Sequence, residues 1–137
     1  MDFFIFVSEK WFLFALLIAL IALFLLTEQN KSGKTIGTSE LVRMMNNDQA
    51  IVVDVRPSAE FDLGHIHGSR NIPHSKIASR IAELEKYRST IIVLVDKLGQ
   101  HSGGAGKVLS KEGYDVQRLR GGISEWQGAS LPLVTGK

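Results

Sequence analysis

Cysteine is absent from the 137 residues. That absence excludes disulfides, thiolate-bound metals and thiol catalysis together. An excess of one charge is also lacking: 16 Lys and Arg stand against 14 Asp and Glu, a formal net charge of +2. With so small a surplus, no dense basic stripe and no interleaving of aromatic with basic residues, nucleic acid is not an expected partner. Internal repeats and low-complexity tracts are missing too, and the length leaves room for one folded domain.

One long apolar run is present. Residues 11–26 read WFLFALLIALIALFLL, without a charge or a proline, and residues 3–7 are apolar as well. A membrane-spanning helix needs about 20 apolar residues, with about 17 as the lower limit. Adding Thr27, with Lys10 and Glu28 snorkelling toward the headgroups, makes a short span. The Phe-rich start either sits in the interface or lengthens the helix. A core helix apolar on every face would need a larger domain around it. A cleaved leader is disfavoured because TEQNKSG carries no small-x-small site. Residues 1–27 are therefore expected to form an uncleaved anchor, with the lipid bilayer as a partner. Lys31, Lys34 and Arg43 follow the span, whereas Lys10 precedes it beside Asp2 and Glu9. This bias places the C-terminal part in the cytoplasm. Residues 28–37 are polar and read as a tether.

From residue 38 to 137, helical and strand patterns alternate. Thr38 or Ser39 is expected to cap a short helix that turns Leu41, Val42 and Met45 inward. AIVVDV (50–55) and TIIVLV (90–95) are β-branched runs of the kind found in buried parallel strands. Pro57 opens a helical turn that Gly64 ends. Asn71 and Ile72 are extended before Pro73. Ile77, Ile81 and Leu84 suggest a helix over 76–86. A helix of about ten residues begins near Ser102 or Gly103, and residues 114–119 form a third strand. Gly121 and Gly122 make a turn before a last short helix containing Trp126. Such alternation implies an α/β fold, a parallel sheet flanked by helices.

Two stretches then stand out. VVDVRPSAEFDLGHIHGSRNIP (52–73) combines Asp54-x-Arg56, Glu60, and Gly64-His65-Ile-x-Gly68 with an Ile-Pro end. LRGGISEWQGASLPL (119–133) carries Gly121-Gly122, Trp126 and Leu-Pro. Together they resemble the rhodanese family, over essentially all of the soluble part. With its anchor, the chain is similar to small membrane-bound rhodanese-like proteins of Gram-negative bacteria, which implies the inner membrane.

These positions also have readings of their own. Asp54 and Arg56 lie at the end of a buried strand, where charges need partners. Arg56 and Glu60, four apart, are spaced to pair. The glycines of GHIHG suit backbone angles that other residues resist. Trp126 can plug the bottom of the sheet. All are structural roles.

The resemblance assigns the chemistry to the loop after the central strand. In active members, a Cys there sits in a cradle of inward N–H groups at a helix start, which acidifies its thiol and stabilises a persulfide. Here the loop is Asp96, Lys97, Leu98, Gly99, Gln100, His101 and Ser102. Aligning Gly99 and Ser102 puts Asp96 at the nucleophile and His101 at the usual Arg. A carboxylate forms no persulfide and repels thiosulfate. His in place of Arg removes a permanent forked charge. No catalytic residue is therefore expected, and Asp96 is read as accepting the loop's own N–H groups. An aspartyl-phosphate role lacks supporting acids and metal.

GGAGK (103–107) is not a phosphate-binding loop, since position 101 is His and position 108 is Val. His65, His67, His74 and His101 do not make a zinc site by spacing, and no metal or other cofactor is expected. The functional expectation is a catalytically inactive module that binds a membrane or cytoplasmic protein. The alternatives are a sulfurtransferase-related enzyme working with a partner's cysteine, and a small-ligand sensor.

Overall fold

The computed structural model describes residues 2–31 and 33–136, apart from the side chains of 28–31. It divides into an N-terminal helical unit and a folded unit that begins at Lys31.

The first unit is made by helix α1 (Asp2–Lys31), whose last residue opens the second unit, with non-helical angles at Lys10 (φ −114°, ψ 16°). Its stretch Asp2–Thr27 is long and apolar enough to cross a membrane, and none of it is buried within the structure. Its large apolar side chains, among them Trp11, Leu17 and Phe24, are exposed.

The second unit is a five-stranded sheet in the order β1-β5-β4-β2-β3. The strands are β1 (Lys34–Ile36), β2 (Ala50–Asp54), β3 (Arg70–Asn71), β4 (Ile91–Val95) and β5 (Val116–Leu119), and each pairing is parallel. Helices α2 (Thr38–Asn46), α3 (Ser58–Leu63), α4 (Ser102–Lys111) and α5 (Gly122–Gly128) connect or follow them.

The period of two along β4 explains the layering. Ile92 and Leu94 join Val53, Ile77, Leu84 and Leu109 on one face. Val93 and Val95 join Val52, Leu41, Met44, Ile123 and Trp126 on the other. With both faces of the sheet covered, the central strands read as unbroken apolar runs.

Several sequence expectations are corrected. The stretch read as a tether over 28–37 contains β1, an edge strand in register with β5 from Lys34 opposite Gln117 to Ile36 opposite Leu119. Three residues, only one of them buried, leave too weak a pattern to see. The helix expected over 76–86 is instead two 3-10 segments, His74–Lys76 and Ile81–Tyr87. Ile81, Leu84 and Tyr87 are spaced by threes, which eclipses them on one face of a 3-10 helix and packs all three against the core.

Gly37, not Thr38 or Ser39, is the N-cap of α2, without a side-chain cap bond. That helix buries Leu41 and Met44, while Val42 and Met45 lie partly buried beside the same cluster. The third strand starts at Val116 rather than Tyr114, because the Tyr114 N–H donates to the Leu109 carbonyl and closes the end of α4.

Candidate functional site

The buried charges Asp54, Arg56 and Asp96 gather at the C-terminal ends of β2 and β4, where parallel α/β sheets open a crevice. Asp54, the last residue of β2, and Arg56 are both buried. The Arg56 Nε donates to Asp54 Oδ1 at 3.0 Å and Oδ2 at 3.1 Å, and its Nη2 donates to Oδ2 at 2.8 Å. The same Nη2 reaches the Gly64 carbonyl at 2.6 Å. This corrects the expected Arg56–Glu60 pair: two residues along the chain, Asp54 already satisfies the guanidinium, and a bidentate carboxylate is the stronger partner. Glu60 instead lines the pocket described below.

The GHIHG segment is held by the same pair and by its own contacts. His65 is buried, its ring stacked on Phe61 at 3.7 Å, with Nδ1 2.8 Å from the Phe61 carbonyl. Its backbone exchanges hydrogen bonds with Val134, tying the C-terminal segment to the domain. Gly68 has φ +80°, as the sequence suggests, but Gly64 is extended at φ 169°. Packing constrains Gly64, because a Cβ there would lie 3.3 Å from Leu133 Cδ1. Trp126 is buried, and its Nε1 donates to the Pro132 carbonyl at 2.9 Å.

One step past β4 is Asp96, only 2% exposed. Its side-chain carboxylate accepts the backbone N–H of Gly99, of His101, and of Ser102, the last at 3.2 Å. Gly99, at φ +93°, lets the loop turn its amides toward that carboxylate. Ser102 begins α4, so the carboxylate also faces the positive end of a helix. The loop is a ring of inward amides, and the anion at its centre is the chain's own.

A second helix holds the base of the loop. Ile123 N–H donates to the Asp96 carbonyl at 2.8 Å, and Ser124 N–H to the Lys97 carbonyl at 3.0 Å. Gly122, at φ +59°, is where that contact is closest: a Cβ there would fall 2.2 Å from the Asp96 carbonyl oxygen. The Gly121-Gly122 turn is thus a supporting surface for the loop, and Gly121 is the left-handed N-cap of α5.

Above the loop lies a pocket of about 250 Å³ lined by Val55, Arg56, Pro57, Glu60, His74, Asp96, Lys97, Gln100 and His101. The rings of His74 and His101 stack at 4.4 Å with planes 5° apart. Sequence reasoning left His74 outside the site. No local signal links two residues 27 positions apart; the link is the backbone bond from His74 N–H to the Val55 carbonyl, which carries His74 to the end of β2. His67 is exposed and stands apart from the loop's lining. Among the described residues, no group of three or more His, Asp or Glu is placed to hold a metal ion. Leu98, half exposed, stands on the loop outside the pocket lining.

Comparison with known proteins decides the family. The family model described as the rhodanese-like domain matches residues 37–129. The chain belongs to the rhodanese-like domain family. It is 39% identical over 106 residues to the uncharacterized protein YibN of Escherichia coli, covering 76% of this chain and 74% of that one. It is 31% identical over 100 residues to the thiosulfate sulfurtransferase GlpE of Shewanella oneidensis, covering 72% of this chain and 97% of that one. Among solved structures, a rhodanese-related protein from Thermoplasma volcanium superimposes with a TM-score of 0.69 at 28% identity, over 75% of this chain and 99% of that one. The rhodanese-like domain here thus shares its fold with a named sulfurtransferase while containing no cysteine.

Proposed function

We propose that this chain is a membrane-anchored rhodanese-like domain with no sulfur-transfer activity of its own, serving as a protein-interaction module at the bacterial inner membrane, with its folded unit in the cytoplasm. The observation that carries the reading is Asp96. Three amides converge on its carboxylate, and they are the groups that would otherwise stabilise a bound anion. A carboxylate engaged by three donors is a poor nucleophile and accepts no sulfane sulfur. An oxyanion donor would meet both a filled cradle and a like charge. GlpE, named a thiosulfate sulfurtransferase, supplies the contrast in function rather than a role for this chain.

The anchor reading rests on the apolar stretch Asp2–Thr27. Confinement to a bilayer raises the effective concentration of the domain toward partners in the same membrane. The loop beside the pocket, with exposed Lys97, Leu98 and His101, is the surface offered to them.

The test uses the full chain in detergent micelles, given thiosulfate and cyanide. No thiocyanate above the protein-free background is expected. Turnover that disappears in Asp96→Ala would overturn the reading. In native membranes, a photo-crosslinker placed at Leu98 should trap one defined protein, and the adduct should be lost when a bulky residue replaces Gln100. A crosslinking pattern indifferent to that change would remove the interaction role.

A further inference from the structure

The N-terminal helix is interrupted at Lys10, the residue with non-helical angles. Length shows what the interruption does. Asp2–Thr27 is 26 residues, about 39 Å as a straight helix, against a hydrocarbon core of about 30 Å. Residues 11–27 alone make about 26 Å, close to a thin bilayer without strong tilt. Trp11 begins that part, and Trp is favoured at the membrane–water boundary. With Glu9 and Lys10 held at this boundary, a straight continuation would carry Phe3, Phe4, Ile5, Phe6 and Val7 into water.

The structure bends there instead. Ser8 Oγ donates to the Ile5 carbonyl at 2.9 Å, a local side-chain bond of the kind that bends helices. Residues eight apart on a straight helix are displaced by about 12 Å along the axis. Yet the rings of Phe6 and Phe14 meet edge to face with centroids 6.2 Å apart. The bend therefore closes toward the face that carries these two rings. On residues 2–9 the charges Asp2 and Glu9 are seven apart and share one ridge, Ser8 is the other polar side chain, and the five residues 3–7 are apolar.

We propose that residues 2–9 form an interfacial arm, folded back at Lys10 to lie along the bilayer surface with its phenylalanines at the acyl boundary and its acidic ridge toward water. This rests on the membrane reading above and adds to it: the anchor is a span plus a flat foot, and the foot's partner is the lipid interface. The foot lets a short span sit in a thin membrane, because the arm sets the depth of Trp11 without requiring tilt.

The chain's lack of cysteine makes single-site labelling clean. Nitroxide labels at Phe4→Cys, Leu17→Cys and His67→Cys would be compared in the full chain, reconstituted in phosphatidylcholine–phosphatidylglycerol vesicles, by collision with oxygen and with a water-soluble nickel complex. The label at 17 should be shielded from nickel and the label at 67 fully open to it. The label at 4 is expected to lie between them, several-fold less open than 67 and shallower than 17, and Val7→Cys should repeat that depth. A label at 4 as open as 67 overturns the arm, because it would mean an unbroken rod carried into water, and one as deep as 17 overturns it too, because it would place the phenylalanines in the acyl core rather than at its boundary. Nickel access at 17 equal to that at 67 would instead bring down the membrane reading, and the arm with it.

Discussion

Arg56 grips Asp54 through two nitrogens while the second of these, Nη2, also bonds the Gly64 carbonyl, so one guanidinium joins the end of β2 to the turn after α3. Both side chains are buried, and removing one leaves the other without its counter-charge. Asp54→Ala is expected to cost about 3–5 kcal/mol. Thermal unfolding of the full chain in mild detergent, followed by near-ultraviolet dichroism, reads the loss. A change below about 1 kcal/mol, the range of exposed pairs, would mean the pair is solvated.

Asp96→Ala removes the acceptor of three amides. The loss is expected to be about 1–3 kcal/mol, the penalty for unsatisfied buried donors. Sulfate or thiosulfate should then raise the unfolding temperature of the variant, because the emptied cradle now accepts an external anion. The same salts should leave the unchanged protein where it was, once ionic strength is matched. Equal stabilisation of both proteins would show that the carboxylate does not occupy the cradle.

Gly122→Ala tests the support beneath the loop. The left-handed angle alone costs about 1–2 kcal/mol for an L-residue. The added Cβ must also displace the Asp96 carbonyl. A total loss above about 2 kcal/mol is expected, within the class of special-angle mutations. Gly104→Ala, where a Cβ meets nothing within 4 Å, is the control and should be close to neutral.

Tyr114 gives a dependence on alkaline pH. Burial raises its phenol above the ordinary value, against the pull of Arg88, whose guanidinium lies 4.4 Å from the ring centre. A folded-state value above the unfolded one means stability that is complete below the unfolded value, about 10. That stability is lost as pH rises through the folded value. Tyr114→Phe should therefore lose stability less steeply than the parent as pH rises above about 10. Parallel curves for the two proteins would show that the phenol does not ionise at the folded state's expense.

The parts of this protein that depend on local pattern were legible along the chain. The apolar run before Thr27, the two β-branched runs that became β2 and β4, and the helix opening at Ser102 all follow from periodicity and composition, which act over a few residues. Asp96 and the missing thiol were equally visible, since an absence needs no geometry. The expected place of Asp96 among inward amides needed only the identity of the loop.

Pairings across long separations were not legible. β1 has three residues and acquires its meaning only from β5, some eighty positions later. Arg56 chose Asp54 over Glu60 because the strand end aims both side chains into one buried space, which spacing cannot show. His74 reached His101 because the sheet delivers β2 and β4 side by side. Sequence alone determined which groups exist and which chemistry is closed to them, because covalent composition is independent of fold. Tertiary structure decided which of those groups touch, because burial and parallel pairing bring together residues that the chain itself keeps apart.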